Sequence, residues 1–578
     1  MNKSKISGTS ELKNTLLGMR RIFIATGVFS FFINMLMLVP ALYMMQVYDR
    51  VLASRNASTL LMLTLLMLFL YIVMAGLEWI RSELLVRASS QLDDSLKNRV
   101  FVASFESILK KAGGNPGQSL NDLNNVRQFL TGNGLFAFFD APWAPIFLLV
   151  IALLHPLLAL LALVGALLLV SLTFLTEKLT QKPLEEANKA AMQAANSANN
   201  SLKNAEVIEA MGMLPGLRQR WYARHKESIE YQQLASNRAG RISALTKFVR
   251  IALQSLILGV GAWLAIDDII SPGAMIAASI LMGRALAPVE LAIGSWKGFV
   301  SSRSAYARLE QLLEKFPVRD DPMVLPAPKG VIVVENVTAL VPGTQAVVLK
   351  GINVAIGQGD VVAVIGSSAS GKSSLARLLV GVWPAAMGKV RLDGADIYSW
   401  NKLELGQYIG YLPQDIELFE GTIAENIARF GEVDSVQVVN AAQRAGVHDM
   451  ILHFPQGYDT PIGEAGGFLS GGQRQRIGLA RAMYCDPVLI VLDEPNSNLD
   501  EQGEVALVGA VKAMKTAGST VVVITHRTNI VSVVDKILVL QEGGVKLFGP
   551  KAEVLAALRT PTPQTPAAVK QIINKAPE

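Results

Sequence analysis

Cysteine is nearly missing from this 578-residue sequence: Cys485 stands alone, so no intramolecular bridge forms and a disulfide-held scaffold is excluded. Charge is scarce too, with Asp, Glu, Lys and Arg at 17% of residues against roughly 25% in an ordinary soluble chain. Hydrophobic residues reach 51%, too many to leave in water, which excludes disorder for most of the chain. No basic run interleaves with aromatics as a nucleic-acid reader requires, so the net charge of +6 needs another origin. Neither Cys485 nor any of the five histidines sits in a protease-like setting, and Cys485 reads as a packing residue.

What is present is apolar and concentrated in one half. Ile22 to Gln46 and Thr59 to Leu77 carry no charge, and each is long enough for the roughly 20 residues of a spanning helix. A second pair lies at Leu135 to Leu154 and Pro156 to Thr176, and a third at Ile251 to Ile266 and Gly273 to Trp296. Six spans result. Asp140, Pro142 and Pro145 interrupt the third, and Arg284 and Glu290 interrupt the sixth. Charges at such depth usually face a bundle interior or a water-filled path, so Arg284 and Glu290 are candidates either to pair with each other structurally or to line or gate a transport route. The first run is too long for a cleaved signal peptide and lacks a small-residue site after it, so it reads as a retained span.

Charge placement orients the bundle. Of Lys and Arg, the short turns between paired spans hold only Arg50 and Arg55, whereas Arg20, Arg21, Arg81, Arg87, Lys97 and Arg99 and then Arg218, Arg220, Arg224 and Lys226 lie on the other side. By the positive-inside rule both termini and both long connections are cytoplasmic, which accounts for the +6 without nucleic acid. Those connections, Glu78 to Lys111 and Glu177 to Met211, are rich in helix formers. The fourth span is therefore expected to run on to about Ile208 as a stalk, break at Gly212 to Pro215, and return as a basic helix from near Leu217. The break is expected to dock on the chain's second half near Gln414.

From Lys329 the pattern changes to alternating strand-like and helix-like runs, with Val331 to Val334 and Val361 to Ile365 as strands. Directly after VVAVI comes Gly366-Ser-Ser-Ala-Ser-Gly371-Lys372-Ser373, which fits the P-loop pattern. Glycines there let backbone N–H groups face phosphate oxygens at a helix N-terminus. The cradle spans Gly366, Ser367, Ser368, Ala369, Ser370, Gly371, Lys372, Ser373 and Ser374; Lys372 is placed to reach the β and γ phosphates and Ser373 to ligate Mg²⁺. Val488 to Leu492 reads as a buried strand ending in Asp493 and Glu494, the first suited to Mg²⁺ and the second to polarising a water.

Between these lies Leu469-Ser470-Gly471-Gly472-Gln473. With it the sequence resembles the ATP-binding cassette (ABC) proteins, whose signature is LSGGQ. Gln414 in YLPQD matches the family's Q-loop, Ser497 to Asp500 its D-loop, and His526 in VITHR its switch histidine. Taken singly, Gln414 reads as a loop amide, His526 as a core histidine and Glu494 as a surface carboxylate; in this order they form a set. The resemblance implies ATP and Mg²⁺ as cofactors, catalytic roles for Glu494, His526 and Gln414, and a metal contact from Gln414 beside Ser373 and Asp493. It also implies that Ser470, Gly471, Gly472 and Gln473 act on nucleotide held by a second subunit, hence a homodimer with two competent sites. One feature departs from the family: Val341 stands where an adenine-stacking aromatic is usual, which puts nucleobase selectivity in doubt.

The membrane half narrows the resemblance. Met35 to Thr64, Phe138 to Leu163 (FFDAPWAPIFLLVIALLHPLLALLAL), Asn204 to Met213 and Gly283 to Lys297 look like bacterial type I secretion ABC transporters, in the branch exporting metalloproteases, lipases and haem-binding proteins. That implies a multi-pass inner-membrane protein with its cassette in the cytoplasm. It implies a periplasmic membrane-fusion adaptor, an outer-membrane channel protein, surrounding membrane lipid, and a polypeptide substrate with a C-terminal signal. With only about 20 residues before the first span, no amino-terminal peptidase-like domain is expected. The expected architecture is an α-helical six-span transmembrane domain with long stalks, followed by an α/β P-loop cassette. Its divisions are 1–20 cytoplasmic segment, 21–310 transmembrane domain, 311–328 linker, 329–556 cassette and 557–578 flexible tail. The rivals are an exporter of lipids or small drug-like molecules and an ATP-gated channel or regulator.

Overall fold

A computed structural model describes residues 11–110, 117–318, 325–463 and 466–559. The chain divides into two compact units, the first ending at Val318. The tail expected to be flexible lies, from residue 560, outside the described residues.

In the first unit the described residues contain six helical segments long and apolar enough to cross a membrane. A short helix, α1 (Glu11–Gly18), precedes them. The first span is α2 (Arg20–Leu36) and α3 (Val39–Gln46), interrupted where Pro40 enters the first turn of α3. A π-helical turn, Val47–Val51, and α4 (Leu52–Ser54) lead to α5 (Ala57–Leu109), one helix of 53 residues. Helix α6 (Gln118–Thr131) returns toward the third span. That span is α7 (Asn133–Asp140), a 3-10 turn Ala141–Trp143 around Pro142, and α8 (Ala144–Leu154).

The fourth span, α9 (Pro156–Leu202), has 47 residues, about 70 Å at about 1.5 Å per residue, more than twice a bilayer core of about 30 Å. It stops at Leu202, short of the expected Ile208, because Lys203 and Asn204 turn the chain into a separate helix, α10 (Ala205–Ala210). The next break falls at Met211 to Met213, where Gly212 takes φ +62°. Pro215 does not belong to this break. It occupies the first turn of α11 (Leu214–Ile266), a position that needs no N–H, so the return helix starts before the expected Leu217. The sixth span is α12 (Pro272–Lys315), whose N-terminus is held by Asp49: its carboxylate accepts from Ser271 Oγ at 2.6 Å and Gly273 N at 2.8 Å.

Five of the spans, all but the second, share one core. Phe147 and Ile151 of α8, Leu158 and Leu169 of α9, Ile257 of α11 and Leu281 of α12 are fully buried against one another. Lipid-range surfaces stay apolar and open, as at Leu167 and Phe174.

The second unit holds a six-stranded sheet in the order β12-β11-β3-β10-β9-β6, parallel except at β11–β12, and a four-stranded antiparallel sheet, β2-β1-β4-β5. The strands are β1 (Ile332–Leu340), β2 (Val347–Ile356), β3 (Val361–Gly366), β4 (Met387–Leu392), β5 (Ala395–Asp396), β6 (Ile409–Leu412), β9 (Leu489–Asp493), β10 (Thr520–Ile524), β11 (Lys536–Gln541) and β12 (Gly544–Pro550), with β7 (Gly421–Thr422) and β8 (Pro461–Ile462) pairing apart. Strand β1 begins at Ile332 and runs six residues past the expected Val334.

Runs such as VVAV in β3 and TVVVI in β10 are apolar throughout because helices and the smaller sheet cover both faces. Successive side chains alternate between two cores: Val361, Ala363, Val521 and Val523 enter one, Val362, Val364, Val522 and Ile524 the other. A pleated strand buried on both sides fixes its own end rigidly. The ends of β3 and β9 carry the site.

Candidate active site

The loop after β3 is shaped by close backbone approach. A Cβ at Gly366 would sit 2.3 Å from the Leu540 carbonyl oxygen, and Gly371 holds φ +95° with Leu349 Cδ2 2.6 Å from where its Cβ would be. Only glycine fits either position. Ala369 takes φ +63° between them, so the loop carries left-handed residues at two points before α13 (Lys372–Leu379) begins. Ser367, Ser368 and Ala369 are exposed at the rim, whereas Ser370, Lys372 and Ser374 are buried.

Lys372 Nζ is folded back, donating to the Gly366 carbonyl at 3.0 Å and the Ser367 carbonyl at 2.9 Å. Burial pulls its ammonium below the ordinary lysine value, opposed by the negative charges of Glu494 and Asp493. The two acids stand at the end of β9. Asp493 is 1% exposed; its Oδ1 accepts from Ser373 Oγ at 3.2 Å, and its Oδ2 is buried with no hydrogen-bond partner. Burial pushes this carboxyl above the usual carboxylate range, against the Ser373 hydrogen bond. A buried, half-satisfied carboxylate beside a hydroxyl is a donor set of the hard-oxygen kind that suits Mg²⁺.

Glu494 takes φ +49°, a strained conformation for a side chain of its kind, and its N–H donates to Ile524 of β10 at 3.0 Å. That bend swings its carboxylate to where Gln414 and His526 meet it. Gln414 Nε2 donates to Oε2 at 3.0 Å, and His526 Nε2 lies 3.4 Å from Oε1. Three residues spread over 112 positions of sequence therefore converge beside Asp493 and Ser373.

The Leu469 to Gln473 stretch opens α14 (Gly471–Met483). Ser470 is its N-cap: Gln473 N donates to Ser470 Oγ at 3.2 Å and Ser470 N donates to Gln473 Oε1 at 2.8 Å. This reciprocal cap occupies the Gln473 carbonyl oxygen and aims the N-terminal turn outward. Asn498 packs on it, its carbonyl oxygen 2.9 Å from where a Gly472 Cβ would stand. Among the described hydrogen bonds, none joins Ser470 to the chain's own P-loop residues.

One residue escaped the sequence reading. Gln475, 1% exposed, donates from Nε2 to the Glu494 carbonyl at 3.3 Å and to Ser497 Oγ at 3.5 Å, and accepts from Asn498 N at 3.0 Å. It braces the bend at Glu494 from the signature helix. Its one signal was the i+4 spacing from Gly471, which places it on the same helix face. Val341 sits half-buried in the turn after β1, accepting from Thr344 N at 3.0 Å, with no aromatic residue in that turn.

Comparison with known proteins agrees with both units. The family model described as ABC transporter matches residues 349–497, and that described as ABC transporter transmembrane region matches residues 23–288. The chain is 46% identical over 544 residues to the Type I secretion system ATP-binding protein PrsD of Rhizobium meliloti (strain 1021), covering 94% of each. It is 29% identical to the Alpha-hemolysin translocation ATP-binding protein HlyB of Escherichia coli, covering 93% of this chain and 77% of that one. Among solved structures, a bacterial Atm1-family ABC exporter with ATP bound superposes with a TM-score of 0.80 at 22% identity, covering 93% of this chain and 96% of that one. At that identity the likeness speaks to the fold.

Proposed function

Because the chain belongs to the ABC transporter family, in its type I secretion branch, we propose that it is the inner-membrane ATPase that drives a polypeptide out of the cell. It is a multi-pass membrane protein that binds and hydrolyses ATP. The observation that carries the export reading is the 46% identity, maintained across membrane and nucleotide units alike, to a type I secretion protein. A cassette alone would not name a cargo class.

In this reading the division into 1–20, 21–310, 311–328, 329–556 and 557–578 places the cassette and both termini in the cytoplasm. The loop Gly366 to Ser374 binds the phosphates through backbone N–H groups, and Lys372 exchanges its two carbonyl partners for phosphate oxygens. Ser373, Asp493 and Gln414 would hold Mg²⁺, which would supply positive charge against the phosphate oxygens. Glu494 orients a water and takes its proton, while Gln414 and His526 hold the carboxylate from either side. Ser470, Gly471, Gly472 and Gln473 complete the site of a second copy, so the working unit is a homodimer. A periplasmic adaptor, an outer-membrane channel and a substrate with a C-terminal signal complete the path.

Proteomics of culture supernatants tests this. Cells with the wild-type chain release one or a few specific proteins that are absent from cells lacking it and from cells carrying Glu494→Gln. An unchanged supernatant with altered lipid or drug efflux would place the chain among small-molecule exporters instead.

A further inference from the structure

Helix α12 is the most enclosed of the six spans: half of its most apolar stretch is buried, against at most 22% in the others. Ala278, Leu281, Met282, Ala285 and Leu286 press it into the bundle core. Its opposite face is left open. Arg284, Leu291, Gly294 and Gly298, spaced seven, three and four residues apart, recur on one side and are all exposed. A Cβ at Gly294 or Gly298 would meet nothing within 4 Å.

Arg284 lies twelve residues past Pro272, about 18 Å along the helix and so near the middle of an apolar core of about 30 Å. Among the described residues no carboxylate lies within ion-pair distance of it; Nη1 has only Met37 Sδ, 4.0 Å away. Glu290 does not serve, because it is held by Arg250 of α11 at 3.2 Å. The two charges that interrupt this span thus have different fates, one matched within the bundle and one not. An unmatched guanidinium at this depth is costly against lipid, and such groups usually face a bundle interior or a water-filled path.

We propose that Arg284 lines the aqueous route of the polypeptide and pairs with carboxylates of the passing chain, so that the route favours acidic over basic segments. This rests on the polypeptide-export reading: an unfolded cargo brings the mobile counter-charge that no described residue of this protomer supplies. Leu291, Gly294 and Gly298 give the same face a low, uncharged floor along which a chain of varied side chains can slide.

The test uses the full chain in cell membranes. In a Cys485→Ser background, Arg284→Cys reacts with a membrane-impermeant maleimide applied to inverted vesicles, whereas Leu167→Cys on the exposed apolar face of α9 does not. The secreted protein found by supernatant comparison is then given a short Glu/Ser or Lys/Ser insert. Arg284→Glu lowers export of the Glu/Ser form relative to the Lys/Ser form by about tenfold or more, and Arg284→Lys restores the wild-type ratio. The proposal is overturned if Arg284→Cys is as unreactive as Leu167→Cys, or if Arg284→Glu leaves the export ratio unchanged. Failure of the export reading has a different signature: wild-type cells release neither form, and the selectivity claim falls with it, while Arg284→Cys still labels.

Discussion

Two buried aspartates, one in each unit, show opposite uses of the same group. Asp140 of α7 is 9% exposed and charge-matched through one oxygen: Arg81 of α5 donates to Oδ1 at 2.9 Å, Asn34 of α2 donates to the same oxygen at 3.1 Å, and the Arg81 guanidinium also reaches Ser30 Oγ at 3.1 Å and the Phe136 ring at 4.4 Å. Asp493 is more deeply buried, yet among the described residues no cation forms an ion pair with it, and its Oδ2 is shut from solvent without a partner. Burying charge is expensive unless it is compensated. Asp140 is compensated by the fold and ties three helices together. In the proposed reading Asp493 is left short because its complement arrives with substrate. The membrane unit repeats the contrast with Glu290, matched by Arg250, and Arg284, unmatched.

Breaking the nucleotide side of this comparison has the largest effect. Glu494→Gln is expected to lower ATP turnover by about 10²- to 10⁴-fold while ATP binding, followed by equilibrium dialysis, persists. Full hydrolysis in that variant would remove Glu494 from the proton-accepting role. On the satisfied side, Arg81→Ala strands Asp140 in an apolar bundle and is expected to cost about 3 to 5 kcal/mol, read as lost thermal stability of purified protein. The double change Arg81→Met with Asp140→Leu recovers most of it; no recovery would mean the pair acts beyond its charge balance. A smaller loss, about 1 kcal/mol, follows from Thr422→Ala, which removes a complete capping box with Glu425. Smallest is Glu83→Ala: its pair with Arg87 is exposed on both sides, and chemical denaturation should register less than about 0.5 kcal/mol.

The candidate nucleotide site was legible as a set of short motifs because each of its parts is local. Glycines that only glycine can replace, a lysine and serine opening α13, and acids closing a buried strand are each written in a few adjacent residues. Alternation and apolar length likewise announced the sheet and the six spans. What escaped reading is set by packing between distant helices. Asp140 was visible as an interruption, but Arg81 stands 59 positions away on another helix, and no periodicity joins them. Arg284 and Glu290 read as a pair by proximity in sequence, whereas Glu290 found its partner 40 positions upstream on α11. Gln475 was hidden for the same reason: its role depends on a strained bend at Glu494 that only the folded chain displays.

The most direct test compares the two aspartates in one assay, ATP hydrolysis by purified protein as Mg²⁺ is titrated and then withdrawn with chelator. The wild-type chain should require Mg²⁺, Asp493→Asn should lose hydrolysis and its response to the ion together, and Asp140→Asn should keep the wild-type Mg²⁺ dependence with lower thermal stability. Unaltered Mg²⁺-dependent turnover in Asp493→Asn, or a Mg²⁺ response displaced as far in Asp140→Asn, would contradict the assignment of the unpartnered carboxylate to the working site.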